Sequence, residues 1–543
     1  MDQLINTRRI AAARSIALAW RSRLRSMLPA LLVGGLIWLA RSIFLTRSYD
    51  VFIDEITYAR LSEQVADAGR VWLYGEPFYL HPPAFFVLAG AFLALFGLDA
   101  SLLETIFALR HFNIVVAALT GVGIWSISRG LAGRRAGMLA VLLFGLEPFI
   151  IRMNSRVLLE TMALWWVVAG YWALVAGLST QSYLDPIPPP DRKARFRWIW
   201  RAEAAPAQTV PRSTATLAGL CFGVALLTKD MTAFLTILPL AICWVFKWSL
   251  PRRTIAYLLA LIVASYTLYL AAIVASGQGM AFMTHKGRGI ARLLGLIQET
   301  GLNRDVGPSL AATLMARLSL FITTYSMIAL GGVALLALFW RGGSGHRLIA
   351  VWTASAYALL IYCIGLGTLE EQFFYLLVIP VLVTLSIVGG PLLPMVSLRR
   401  DQRHPLRCAT PWIYLGIALF GIWSSYQWIT IHLSPHNTYQ QLLVYVDQNL
   451  QPGESIAATS ETAQFLLAER TSPPWGDWSE PSELDGHQPD YLLLSVGQLE
   501  WDHGPGGLTL RDWVEANGTH VFTFGGEGDG PLVLYRLRWL EKE

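Results

Sequence analysis

Eleven apolar runs recur along this chain, and the loops between them are alternately rich and poor in arginine and lysine. They cover residues 27–40, 106–127, 137–151, 158–178, 215–227, 231–246, 255–275, 318–340, 348–366, 373–388 and 412–431. A hydrocarbon layer of about 30 Å is crossed by about 20 apolar residues in a helix. Lipid offers no partners for backbone N–H and C=O groups, so each crossing must be helical. With 54% hydrophobic and only 15% charged residues, the chain is too apolar for an ordinary soluble domain. The expectation is a polytopic α-helical membrane protein.

Charge sets the orientation. Basic clusters around Arg134, Arg195, Arg252, Arg347 and Arg403 follow every second crossing, which places them on the cytoplasmic side. A twelfth apolar run, Ala84–Leu98, has roughly 15 residues and is short for a crossing. Counting it as a span would turn all five clusters outward, so it is read as lying at the outer interface. The N-terminal arginines, Arg8 to Arg25, precede the first run, and no small-residue cleavage site follows it, so an uncleaved anchor with a cytoplasmic N-terminus is expected. The formal charge of +5 belongs to these flanks and does not point to nucleic acid. Cys221, Cys243 and Cys363 lie in apolar runs and Cys408 beside a basic cluster, a spacing that builds neither a disulfide framework nor a metal site.

After residue 432 the composition turns soluble. Strands are expected at 455–458, 491–495, 521–524 and 532–537, with helices at 439–449, 462–469 and 510–516. The division is therefore 1–432 for the membrane part and 433–543 for a small α/β domain on the outer face.

The longest polar interruption near the start, residues 48–83, carries Asp50, Asp54, Glu55, Tyr58, Glu63 and His81 between two apolar blocks. On one helix Asp50, Asp54 and Tyr58 share a face, whereas the neighbours Asp54 and Glu55 diverge. A carboxylate held at a membrane boundary is expensive to desolvate and suits acid–base chemistry. A solvated amphipathic helix is the plainer reading. Other charges break the orientation rule. Arg152 and Arg156 sit on the outer side and, with Glu160, are spaced i, i+4, i+8. Lys229 occupies a hairpin tip beside Asp230. His285, Lys286, Arg288 and Arg292 crowd one outer loop, and Glu370 and Glu371 edge another span. Salt bridges between spans or snorkelling would explain each alone. Together, cations opposite carboxylates on one face suit a phosphate-bearing ligand, and the lipid boundary favours a lipid-linked one.

These residues resemble the GT-C membrane glycosyltransferases that use polyprenyl-phosphate sugars, most closely the protein O-mannosyltransferases and the aminoarabinose transferase of lipid A. The likeness is carried by Asp54-Glu55 with Tyr58, by Tyr79-Leu80-His81-Pro82-Pro83, and by Arg110. It continues in Ser155-Arg156 to Glu160, Leu227-Thr228-Lys229, His285-x-x-Arg288, and Glu371 to Pro380. It runs in order from the N-terminus to about Pro380, and the C-terminal domain is only loosely similar. The resemblance implies a GT-C fold with interfacial helices in the first outer loop. It implies Asp54 as general base supported by Glu55, and donor-phosphate contacts from Arg288, His285 and Lys229. Tyr58, His81, Arg156, Glu160 and Glu371 complete the implied substrate site. Glu160 stands where the family often has Asp, and His81 where a Lys can occur. A divalent metal is compatible with Asp54, Glu55 and Glu160, although no spacing demands one. The implied partners are a polyprenyl-phosphate sugar donor and a protein, lipid or glycan acceptor. The competing readings are a transporter or flippase of phosphate-bearing lipids and a non-catalytic sensor.

Overall fold

The computed structural model describes residues 28–97, 101–182, 209–298, 301–304, 308–340, 343–393, 410–471, 474–503, 508–525 and 530–539. The N-terminal arginines and the basic clusters around Arg195 and Arg403 lie outside the described residues.

Every one of the eleven apolar runs is helical. The first long helices are α1 (Leu28–Ser42), α2 (Ile53–Ala68), α3 (Ala84–Phe96) and α4 (Leu102–Ala132), with a hairpin of β1 (Trp72–Leu73) and β2 (Glu76–Pro77) between α2 and α3. Then come α5 (Arg134–Leu146), α6 (Pro148–Asn154), α7 (Leu159–Ser182), α8 (Arg212–Thr228), α9 (Ala233–Phe246), α10 (Arg252–Ala275) and α11 (Gly279–Leu293). The bundle closes with α12 (Leu318–Trp340), α13 (Ser344–Gly365), α14 (Glu371–Gly389) and α15 (Thr410–Leu433). Among the described residues six helices are long and apolar enough to cross a membrane alone, and the bent pair α5–α6 makes a seventh. The protein is thus a multi-pass helical membrane protein. Its core runs through the bundle, with α14 buried along most of its length.

Two breaks matter here, one inside an expected span and one inside the single helix that the i, i+4, i+8 spacing of Arg152, Arg156 and Glu160 assumes. The run 137–151 bends by 68° between α5 and α6. Pro148 sits at the first position of α6, where its missing N–H costs nothing. The buried Glu147 carboxylate accepts the Ile150 N–H at 2.7 Å and the hydroxyls of Thr323 and Thr324 at 2.8 and 2.7 Å. A second break, Ser155 to Leu158, separates α6 from α7. Arg152, Arg156 and Glu160 therefore do not share one helix face, and Arg152 pairs with Glu371 while Glu160 pairs with Lys229.

The first loop folds as a compact unit on the bundle end. Helix α2 is capped by its own Glu55, whose carboxylate reaches back to the Phe52 N–H at 3.1 Å. Helix α3 spans 13 residues, roughly 20 Å at 1.5 Å per residue, and packs its Phe85, Phe86, Ala89 and Leu93 against α2 and α4. The approach is close at Gly90, where a Cβ would lie 2.7 Å from the Ser62 carbonyl oxygen and from Val65.

Beyond α15 the chain forms a four-stranded mixed sheet, in the order β3 (Ile456–Ala458), β4 (Tyr491–Ser495), β6 (Leu532–Leu537), β5 (Gly518–Phe524). Strands β3 and β4 are parallel, and β6 runs antiparallel to both its neighbours. Alternate residues of β4 serve two cores: Tyr491 and Leu493 on one face, Leu492 and Leu494 on the other. Helices α16 (Thr438–Asn449), α17 (Glu461–Leu467), α18 (Val496–His503) and α19 (Leu508–Asn517) cover the sheet. The expected strands and helices of this region are all present.

Polar contacts dock this domain on the first loop. The Asp50 carboxylate accepts the backbone N–H groups of Thr438 and Tyr439 at 3.1 and 3.3 Å, capping α16 from a distant part of the chain. Glu469 pairs with Arg60 at 2.8 Å and also accepts the Leu102 N–H at the start of α4.

Candidate active site

Where the first loop, the bundle end and the C-terminal domain meet, an open cavity of about 2040 Å³ is lined by all three. Helix α2 starts at Ile53, so Asp50 lies before it and turns to α16 instead of sharing a face with Asp54 and Tyr58. Asp54 and Tyr58, one turn apart, both line the cavity. The expected divergence of Asp54 and Glu55 is present and complete: Asp54 faces the cavity, and Glu55 faces the protein interior.

Glu55 and Arg110 form a fully buried pair, with Nε and Nη2 of the guanidinium 2.8 and 2.7 Å from the two carboxylate oxygens. Arg110 also donates to the carbonyls of Tyr49 at 2.8 Å and Asp50 at 3.0 Å, while Glu55 accepts the Val157 N–H at 2.8 Å. Burial works against the charged form of Glu55, and the Arg110 guanidinium outweighs it, holding the carboxyl below its ordinary range. This pair ties α2, the Tyr49–Asp50 turn, α4 and the α6–α7 break into one rigid support, and Glu55 does not reach the cavity.

Asp54 lies deep in the fold, with part of its side chain open to the cavity. Its carboxyl is pushed up to about 7 by burial and by the nearby Glu160 and Glu370, against the opposing pull of Lys229 and a hydrogen bond from Gln372. Gln372 Nε2 donates to Asp54 at 3.0 Å, while its Oε1 accepts from Lys229 Nζ at 2.9 Å. Lys229, almost fully buried at the start of the α8–α9 turn, also pairs with the buried Glu160 of α7. One chain of contacts therefore runs Glu160, Lys229, Gln372, Asp54.

Around this chain the remaining candidates fall into two groups. Arg156 and Arg288 line the cavity with Lys229, as do Arg152 and Arg317, which hold Glu371 at 3.2 and 3.1 Å. Lys286 lines it as well, pairing with Asp230 and donating to the Leu80 carbonyl at 2.9 Å. His81 faces the cavity, with Nε2 3.4 Å from the Tyr58 hydroxyl. Burial together with Lys229, Lys286 and Arg292 drives its pKa well below the ordinary value, so the ring is neutral. His285 is outside the lining: its Nδ1 accepts the Tyr79 N–H at 3.3 Å and fastens α11 to the first loop.

Sequence reasoning passed over Gln372 and Arg317. Gln372 is a polar residue at the mouth of a span beside Glu371, and Arg317 a basic residue immediately before α12, so each carried a signal of the kind that singled out its neighbours. Asp54, Glu55 and Glu160 do not converge on a common point. Their partners are Gln372, Arg110 and Lys229 respectively. Among the described residues no group of three or more His, Cys, Asp or Glu side chains is placed to hold a metal ion.

No family model matches the sequence, and no curated protein matches it. Solved structures do match along nearly the whole chain. ArnT from Cupriavidus metallidurans bound to undecaprenyl phosphate is similar with a TM-score of 0.51 and 14% identity, over 94% of this chain and 98% of that one. Its apo state gives a TM-score of 0.53 and 13% identity, over 95% and 98%. The archaeal oligosaccharyltransferase AglB from Archaeoglobus fulgidus, in complex with an inhibitory peptide and a dolichol-phosphate, gives a TM-score of 0.51 and 12% identity, over 93% and 75%. At such identities the likeness is one of fold, and it extends across both the helical bundle and the C-terminal domain.

Proposed function

We propose that this chain, which has the GT-C fold of the membrane glycosyltransferases, moves a sugar from a polyprenyl-phosphate carrier to an acceptor hydroxyl on the outer face of the membrane. One observation carries the reading: a carboxylate held near neutrality and a set of cations line the same open cavity at the end of the bundle.

The chemistry follows from that pairing. Asp54 accepts the acceptor's hydroxyl proton while the oxygen attacks the anomeric carbon. The bond between that carbon and the phosphate oxygen breaks, and the polyprenyl phosphate departs with the electron pair. A general base works best when its pKa lies near the working pH, and a value of about 7 meets that condition. Lys229 and Arg288 stabilise the charge that grows on the leaving phosphate. A single displacement inverts the anomeric centre. Neutral His81 and the Tyr58 hydroxyl border the donor as hydrogen-bonding groups without adding charge. In this reading the basic loops face the cytoplasm and residues 433–543 face outward, so the cavity opens where lipid-linked sugars are presented. Arg156, Glu371 with its two arginines, and His285 through Tyr79 shape the donor side, and Glu55 acts by holding α2 in place.

The test is transfer from a radiolabelled undecaprenyl-phosphate sugar into membrane acceptors by the purified protein. Asp54→Asn is expected to lower transfer by at least about 100-fold while leaving the protein folded and inserted. Full activity in that variant would remove Asp54 from the reaction.

A further inference from the structure

The two walls of the cavity differ in chemistry. The wall built by the first loop and the bundle carries both signs, with Arg152, Arg156, Lys229, Lys286, Arg288, Arg292 and Arg317 beside Asp54, Asp230, Glu370 and Glu371. Among the described residues the C-terminal wall carries no lysine or arginine. It presents the carboxylates Glu461 and Asp477, the amide of Gln498 and the rings of Phe465 and Trp475. Of the two walls, only the first offers lysine and arginine to a phosphate. The volume of about 2040 Å³ also exceeds the roughly 300–1,000 Å³ typical of a single small-molecule site, leaving room for a second ligand beside a donor headgroup.

The shape of the second wall narrows the ligand. The parallel strands β3 and β4 both end at the cavity, which is lined by Thr459 and Ser495 from their carboxyl ends. In open α/β sheets this end is where ligands settle. The sheet presents its end, whereas a peptide added as a strand needs an open edge. Beside it, Trp475 is 49% exposed and meets Phe465 edge to face, with ring centroids 4.9 Å apart. Tyr74, at the tip of the β1–β2 hairpin, stacks on Phe465 at 5.7 Å and 9° between planes. Tyr74 holds φ at 51°, the left-handed conformation that hairpin tips normally give to Asn or Gly. The ring thus sits where backbone preference alone does not place it, joining the first loop to the C-terminal domain beside the cavity.

Exposed ring faces carry negative potential and attract the weakly positive C–H faces of a sugar ring. Flanking carboxylates accept hydroxyl hydrogen bonds, which are strengthened by their charge. Resting on the transferase reading above, we propose that the wall formed by Trp475, Phe465, Glu461 and Asp477 is an acceptor subsite for a neutral saccharide. The acceptor would then be a glycan whose terminal sugar lies on Trp475 with a hydroxyl extended toward Asp54.

The experiment uses the full chain in nanodiscs. Binding of short linear oligomers of hexose, pentose and N-acetylhexosamine is measured beside serine- and threonine-rich peptides and phosphorylated oligosaccharides. Binding of undecaprenyl phosphate is followed in parallel. The proposal expects saturable binding of a neutral saccharide, weakened about 3- to 10-fold by Trp475→Ala and by Asp477→Asn, with undecaprenyl phosphate binding unchanged. Binding of peptides alone, preference for phosphorylated sugars, binding of no saccharide, or saccharide binding indifferent to both variants would overturn it. If saccharides fail to bind while Asp54→Asn still abolishes transfer, the subsite falls and the transferase stands. If saccharides bind at Trp475 while Asp54→Asn transfers normally, the proposed reaction falls.

Discussion

Asp54 and Lys229 are joined through one side chain, the amide of Gln372, which donates to the carboxylate at 3.0 Å and accepts from the ammonium at 2.9 Å. The two contacts fix which end of the amide is which, because a carboxylate only accepts and an ammonium only donates. The proposed base and the proposed phosphate-binding cation are thereby held in register on elements far apart in sequence.

Gln372→Met removes the hydrogen bond that favours charged Asp54. The Asp54 pKa then rises above about 7, so the acid limb of the rate profile moves to higher pH. A net hydrogen bond of about 1 kcal/mol corresponds to a shift of roughly one unit or less. The measurement is transfer rate against pH for both proteins. A limb that stays in place would separate Gln372 from the titration of Asp54.

Holding Asp54 near 7 also costs stability. Its pKa is raised above the ordinary value of 3.8, so the folded state keeps the proton longer than the unfolded chain does. Relative stability is full below about 4 and declines as pH rises toward 7, because ionising the buried carboxyl is penalised. Asp54→Asn is therefore expected to raise the melting temperature at pH 8, by an amount that shrinks toward pH 5. Melting curves in detergent at the two pH values check this.

The Glu55–Arg110 pair predicts the opposite behaviour from Asp54. Removing one partner leaves an uncompensated buried charge, a loss of roughly 3–5 kcal/mol. Arg110→Met and Glu55→Gln are expected to reduce the yield of monodisperse protein sharply. Well-folded variants of normal melting temperature would show that the support is not needed.

Asp50→Ala uncaps α16 and removes one tie between the first loop and the C-terminal domain, with an expected loss of about 1–2 kcal/mol. Limited proteolysis is the readout: the segment between α15 and α16 should be cut faster in the variant, with the bundle itself no less resistant.

Much of this architecture was legible from hydropathy, charge and strand alternation, because lipid and a small apolar core each impose a strict period. The eleven apolar runs are a case in point, since each of them is helical. The α/β tail was equally clear from β4, whose residues are buried on both faces. Placement of side chains was less legible. Arg152, Arg156 and Glu160 have helical spacing, but the chain breaks at Ser155–Leu158, and spacing means nothing across a break. Asp50 matched the face of Asp54 by arithmetic, yet α2 begins at Ile53. Gln372 meets Asp54 across 318 residues of chain and Arg317 meets Glu371 across 54, which no local pattern records.

A density map of the protein with undecaprenyl phosphate tests the central claim most directly, since the claim is that lipid phosphate and general base share one cavity. The account predicts the phosphate within hydrogen-bonding distance of Lys229 or Arg288, with Asp54 open to the same space. Phosphate bound elsewhere on the bundle, with the Asp54 cavity empty, would contradict it.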